Sequence, residues 1–426
     1  MLIHTVQPGE TIYSIAELYG VSAERLLLDN LTPDPNRLVA GQSLLVLFPR
    51  ETHIVREGDS LEGIAASYGV TATDLLRNNP QLSGRIYIYP GEELIISYTD
   101  EKTMPLSVNG YALPFIDPAV LQSSLPYLTY LSIFYYRITS EGTIINIDDQ
   151  EAIDTAKAYG VAPIMLISTF ADSSGSDAGV GHSVFISTAK QELLIDNVLT
   201  IMRAKGYYGV NIDIQNVLLE DRQLYVDFVA NLSSRVKEEG YYVMITLTPN
   251  TFLTAPNTLY QGPEYAILGQ LTDSTMLLSY EWGNAQTPQP ALPLAQVRAF
   301  LDYSITQIPA EKTNIGVITI GYIWELPFVP SRTVANVITH NSALGLAEEL
   351  GRVVLRDAAS EAPYFTFFND TEFIIWFRDT RSVSALLDIV AEYNLEGIGI
   401  WNIMQSPTEL LLMVNARFEI RKVDLN

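Results

Sequence analysis

The sequence contains no cysteine, only four histidines, and 25 basic residues against 49 acidic ones. Without cysteine there is neither a disulfide framework nor a thiolate site, and the count leaves the compartment open. His4, His53, His182 and His340 are too scattered for metal-ligand spacing, so no metal site and no cofactor is expected. A formal net charge of -24 repels nucleic acid and anionic lipid, which argues against polynucleotide and membrane partners. No apolar run is long and uninterrupted enough to span a bilayer. The start MLIHTVQPGE lacks a basic region followed by an apolar core, so a cleaved signal of the usual kind is not expected. What remains is 426 residues with 48% hydrophobic content, enough for two or more packed domains.

The first hundred residues repeat. HTVQPGETIYSIAELYGVSAERLLLDN aligns with HIVREGDSLEGIAASYGVTATDLLRNN, pairing His4 with His53, Gly9 with Gly58, Tyr19 with Tyr68 and Asn30 with Asn79. In each copy a short β-like segment precedes a helix start at Thr11 or Ser60, where a hydroxyl can accept first-turn amide protons. Ile12, Ile15, Ala16 and Tyr19 follow at helical spacing, and Gly20 or Gly69 ends the helix. A second short helix and the segments AGQSLLVLF or PGEELIISY complete a β-α-α-β unit. These motifs resemble the LysM module, whose members bind N-acetylglucosamine-containing glycans. The resemblance implies a sugar groove at Gly9, Thr11, Ile12, Asn30 and Leu31 in the first copy. In the second it implies Gly58, Ser60, Leu61, Asn79 and Gln81.

Beyond the linker TDEKTMP, eight apolar β-rich runs alternate with helical segments: VNGYALPFI, LTYLSIFYY, APIMLISTF, YGVNIDI, YYVMITLTP, STMLLSYEW, NIGVITIGY and GIGIWNIM. Continuous apolar strands alternating with helices indicate a parallel sheet covered on both faces, and eight such units suit a closed (β/α)8 barrel, a TIM barrel, with its chemistry at the strand C-termini. Two aromatic runs around Asn369 and Asp370 read as a hairpin lodged in the barrel wall. The full expectation is an α/β protein: modules at 1–49 and 50–98, a linker at 99–105, and a barrel at 106–426 with an α+β insertion at about 331–381.

The ends of the runs carry polar and aromatic residues. Asn211, Asp213 and Gln215 alternate on the fourth and so share one face; Tyr280, Glu281 and Trp282 end the sixth, Tyr322 and Trp324 the seventh, and Trp401 the eighth. Three polar side chains inside an apolar strand are costly unless hydrogen-bonded or used, and the aromatics together suit a floor for sugar rings. GVNID, LLSYEWG, IGYIWELPF, EFIIWFRDTRS and YNLEGIGIWNI resemble glycoside hydrolase family 18, more narrowly its LysM-bearing spore-cortex and cell-wall N-acetylglucosaminidases. The family signature Asp-Gly-x-Asp-x-Asp-x-Glu falls on Tyr208, Gly209, Asn211, Asp213 and Gln215. Only the glycine and the third aspartate are retained.

That resemblance implies retaining, substrate-assisted hydrolysis, in which the substrate's 2-acetamido oxygen attacks the anomeric carbon. Asp213 would orient the acetamide, Tyr280 would hydrogen-bond its carbonyl, and Trp401 would floor the pocket, with Glu281, Trp282, Tyr322 and Trp324 in the binding set. The signature glutamate would be the general acid, and an amide at Gln215 has no titratable proton to give, which forfeits roughly 10²–10⁴-fold. Activity is therefore expected to be weak or absent. Three readings stay open: a glycan-binding pseudoenzyme, a hydrolase site whose glutamate is replaced isosterically, or takeover of the acid role by Glu281, Glu325, Glu220 or Asp221. The expected partner is peptidoglycan or a chitin-like polymer, and the resemblance implies a spore-cortex or cell-wall location.

Overall fold

A computed structural model describes residues 1–30, 35–82, 84–85, 87–171, 175–248, 264–278, 288, 290, 293–329 and 332–425. Each repeat folds as β-α-α-β. The first has strands Leu2–Thr5 and Ser43–Val46 paired antiparallel around helices Ile12–Tyr19 and Ala23–Asp29. The second has strands Pro49–Ile54 and Glu93–Tyr98 around helices Leu61–Tyr68 and Ala72–Asn78. Thr11 and Ser60 cap the first helices by accepting the amides of Ser14 and Gly63 at 3.2 and 3.0 Å. Gly20 and Gly69 end those helices in the left-handed region, at φ 66° and 70°, which costs a glycine nothing.

Two of the histidines serve this small fold. His4 bridges Glu10 at 2.8 Å and the Tyr19 hydroxyl at 3.0 Å, and His53 bridges Asp59 at 2.9 Å and the Tyr68 hydroxyl at 3.1 Å. In both copies the imidazole ties the first strand to the following loop and to the end of the first helix.

The eight expected runs form eight barrel strands: Pro105–Ala112, Tyr130–Ile138, Ala162–Ser168, Gly209–Asp213, Tyr242–Leu247, Ser274–Leu277, Thr313–Ile318 and Gly397–Trp401. Each pairs parallel with the next, and the eighth pairs with the first, closing the ring. Val210 and Ile212 are fully buried in the main hydrophobic core. Gly209 permits a close approach: a Cβ there would lie 2.3 Å from the Tyr242 carbonyl oxygen.

The material between the seventh and eighth strands departs from expectation. The hairpin exists, Pro363–Asn369 against Thr371–Trp376 with Asp370 at its tip, but it is not part of the barrel wall. It belongs to a separate five-stranded antiparallel sheet that also contains Ile320–Leu326, Asn336–Thr339 and Leu355–Arg356. The hairpin strands pair with each other through a tight turn at Asp370, and the second of them pairs with Ile320–Leu326 rather than with a barrel strand.

The modules dock on this body. Leu45, Leu47, Ile95 and Tyr98 share a packed cluster with the barrel, and Val39 packs into the insertion's core beside Ala343, Val354 and Phe365. Arg77 donates to the Pro126 carbonyl at 2.7 Å, and Arg356 donates to Ser43 at 2.9 Å. Arg25 links the two modules, donating to the Asn78 carbonyl at 2.6 Å and the Tyr98 hydroxyl at 3.0 Å.

Candidate functional site

The polar residues of the fourth strand form one connected group. Asn211 is wholly buried; its amide donates to the Tyr111 hydroxyl at 3.3 Å and its oxygen accepts from Thr246 at 2.9 Å. Two positions on, at the strand's end, Asp213 is half-buried. Its Oδ1 accepts from Gln215 Nε2 at 2.6 Å. The same Nε2 donates to the Thr246 carbonyl at 3.3 Å, while Gln215 Oε1 accepts from Thr248 at 2.9 Å. The amide therefore has a defined orientation, nitrogen toward the carboxylate and oxygen toward the hydroxyl.

Burial pushes the Asp213 carboxyl up to about 6, opposed by the hydrogen bond from Gln215. Burial, reinforced by the nearby Asp213 charge, also holds the Tyr111 and Tyr225 hydroxyls above the ordinary phenol value, so both stay protonated donors. Trp401 is half-buried at the end of the eighth strand, its ring 5.6 Å from Tyr111 and 5.2 Å from Phe134 between centroids. The floor expected from Trp401 thus rests on two aromatics from the first and second strands.

Other expected site residues fall elsewhere. Tyr280, Glu281 and Trp282 lie outside the described residues. Tyr322 and Trp324 do not end the seventh barrel strand; they stand on Ile320–Leu326 in the insertion sheet. Trp324 is fully buried there, edge-on to Phe328, and presents no face to a ligand, while Tyr322 is half-buried. Among the candidate substitute acids, Glu220 and Glu325 are exposed. Asp221 is 2% exposed, and His182 Nδ1 lies 2.9 Å from both of its oxygens.

In the modules, Asn30 and Asn79 are structural. Asn79 donates to the Leu75 and Ile95 carbonyls at 2.9 and 2.8 Å and accepts the Ile95 amide at 2.9 Å. Asn30 repeats this with Leu26 and Leu45. Both side chains are buried and join the second helix to the closing strand, so neither reaches outward to a sugar. Ile12 is core, and Thr11 and Ser60 are helix caps. Gly9 and Gly58 remain exposed at φ 87° and 89°, Leu61 is half-buried and Gln81 is half-buried, while Leu31 lies outside the described residues.

Sequence reasoning missed Tyr111, Thr246 and Thr248, which hold Asn211 and Gln215. The alternation of Thr246 and Thr248 at the end of the fifth run was the signal available for two of them.

Comparison with known proteins agrees with this fold. The family described as Glycosyl hydrolases family 18 matches residues 95–406, and the LysM domain matches residues 4–46 and 53–97. The cortical fragment-lytic enzyme of Bacillus anthracis is 30% identical over 422 residues, covering 94% of each chain. Crystal structures of the spore cortex-lytic enzyme SleL superpose along 99% of both chains: that of Bacillus cereus at TM-score 0.78 and 27% identity, that of Bacillus megaterium QM B1551 at TM-score 0.81 and 24% identity. Fold and site define a sugar-directed β/α barrel carrying tandem LysM domains. The chain belongs to glycosyl hydrolase family 18.

Proposed function

We propose that this protein engages N-acetylglucosamine-containing cell-wall glycan, most directly peptidoglycan of the spore cortex, through its LysM domains and a barrel that keeps the acetamide-orienting carboxylate but lacks the general acid. The observation that carries this reading is the Asp213–Gln215 pair. With a pKa of about 6, Asp213 is mostly ionised at neutral pH and held by a donor, suited to orient an acetamide and to stabilise developing positive charge. Gln215 stands where the family's proton donor belongs and has only amide hydrogens.

The modules support the same reading. Two LysM domains docked on the barrel sit at a set spacing, so a repetitive polymer bound at one would already be near the others. The match to cortical fragment-lytic relatives favours peptidoglycan over chitin and favours a cortex or cell-wall location.

The test is binding by the unaltered chain. Purified peptidoglycan and chitooligosaccharides are titrated by calorimetry while products are followed by mass spectrometry. Saturable binding with little or no product is the expected result. Rapid release of N-acetylglucosamine-ended fragments by the unaltered chain would overturn the missing-acid reading, and absence of binding to either glycan would overturn the whole assignment.

A further inference from the structure

A cavity of about 310 Å³ lies between the insertion and the barrel, beside the end of the eighth strand, with Asn402 in its wall directly after Trp401. Arg378 lines it. This residue is 4% exposed, yet among the described residues none of its three guanidinium nitrogens has a hydrogen-bond partner. A buried cation with five unmet donors is costly and asks for an anion.

The surroundings favour the same charge. Three helices begin at the cavity: His340–Glu349, Thr380–Glu392 and Thr408–Arg417 all place first-turn residues in its lining. Helix N-termini carry partial positive charge and attract anions. Thr408–Arg417 has no side-chain N-cap. His340 Nδ1 donates to the Arg378 carbonyl at 2.6 Å, holding the arginine's backbone in place.

Two carboxyl groups share the lining; the Asp379 charge acts on Arg378 through space, but neither carboxyl bonds to it among the described residues. Asp379 accepts the Ser382 amide at 2.9 Å through Oδ1 and faces Arg356 at 3.3 Å through Oδ2. Burial raises the Glu409 carboxyl toward its neutral form, with His340 opposing. Neither lies within ion-pair distance of Arg378 among the described residues. Ile318, Ile320 and Leu410 supply apolar wall, so the cavity suits a carboxylate on a small, partly apolar carrier.

The geometry points to a carboxylate-binding subsite built around Arg378, serving the carboxyl groups of the lactyl or peptide substituents on peptidoglycan. The subsite rests on the proposed glycan reading for its source of carboxylate, but not for its chemistry. A planar carboxylate meets a guanidinium fork with two parallel hydrogen bonds, and against a guanidinium as buried as Arg378 those bonds are strong. The protein's net charge of -24 repels small anions at long range, so capture here requires a local site of this kind.

The experiment compares the full chain with Arg378→Met, which keeps a long apolar stem, and with Val337→Trp, which fills the cavity from an exposed position on its rim. N-acetylmuramyl dipeptide, its amidated form without free carboxylates, a chitotetraose and sodium acetate are titrated at moderate ionic strength. The expected result is tighter binding of the free acid than of the amidated form, with both variants losing that preference about tenfold or more, the scale of a charge-assisted bidentate pair. Chitotetraose binding should be unchanged in both.

Acetate binding that Arg378→Met abolishes, without discrimination between the two dipeptides, would overturn the peptidoglycan source while leaving the glycan assignment untouched. Equal binding of all carboxylates to the unaltered chain and to both variants would overturn the subsite. Failure of the unaltered chain to bind chitotetraose and both dipeptides would instead count against the proposed function.

Discussion

Replacing Asn79 with alanine separates a structural asparagine from a sugar-binding one. The side chain makes three hydrogen bonds with backbone groups, to the Leu75 carbonyl and to both polar groups of Ile95, at 2.8 to 2.9 Å. Asn79 is 0% exposed, so water cannot replace these partners without opening the module. With each bond worth about 1 kcal/mol net, and buried backbone groups left unpaired, Asn79→Ala should weaken the second module by about 2–4 kcal/mol. Hydrogen exchange measures this locally in the intact chain. The Ile95 amide, which donates to Asn79, should exchange ~30- to 1000-fold faster, a tenfold change for each ~1.4 kcal/mol. Protection across the barrel strands should be unaffected. Unchanged protection at Ile95 together with lost glycan affinity would refute the structural assignment and return Asn79 to the binding set.

Other consequences follow from the same contacts. Burial lifts Asp213 from an ordinary 3.8 to about 6, so the folded form binds its proton more tightly than the unfolded chain. The stability this confers is complete below about pH 4 and lost as pH rises through about 6. Asp213→Asn should therefore leave the melting temperature unchanged near pH 4 and raise it above pH 7, and an equal shift at both pH values would contradict the assignment. Gly209→Ala would place a Cβ 2.3 Å from the Tyr242 carbonyl oxygen, forcing two barrel strands apart. A loss of at least ~1–3 kcal/mol in chemical denaturation is expected, and an unchanged midpoint would rule out the close approach. Trp401→Ala should cut chitooligosaccharide affinity about tenfold by calorimetry with the fold intact by circular dichroism, and unaltered affinity would remove Trp401 from the sugar floor.

The barrel was legible because each strand is an apolar run long enough to cross a two-faced sheet and flanked by helical segments. The modules were legible through their duplication, since paired caps at Thr11 and Ser60 and paired glycines at Gly20 and Gly69 impose the same helix twice. The boundary between the seventh strand and the insertion was not. NIGVITIGYIWEL reads as one apolar run, and nothing in its hydropathy marks Thr319, where the chain leaves the ring. Thr319 still bonds back to the Trp401 carbonyl, a partner 82 residues away, while Ile320 is already paired with Thr339 in the insertion sheet. Asn30 and Asn79 misled for a related reason: a polar residue repeated in both copies fits a ligand contact as well as a buried tie, and only its backbone partners decide. At the candidate site the fourth strand announced Asn211, Asp213 and Gln215 by alternation, but Tyr111 comes from the first strand and its hydroxyl partner emerges only when the ring closes.

The central claim is that this barrel keeps the acetamide-orienting carboxylate Asp213 but lacks the general acid, and Gln215→Glu tests it most directly. Reducing-end release from peptidoglycan and chitooligosaccharides is compared between the unaltered chain and the variant. A carboxyl there would meet Asp213 where the amide now donates at 2.6 Å, so the two groups would share a proton and the new glutamic acid would remain a donor near neutral pH. The expected result is a rate at least ~10²-fold above the unaltered chain, with little change in affinity. Silence in the variant, with glycan binding retained, would contradict the claim and make the barrel a recognition surface whose other catalytic contacts have also been lost.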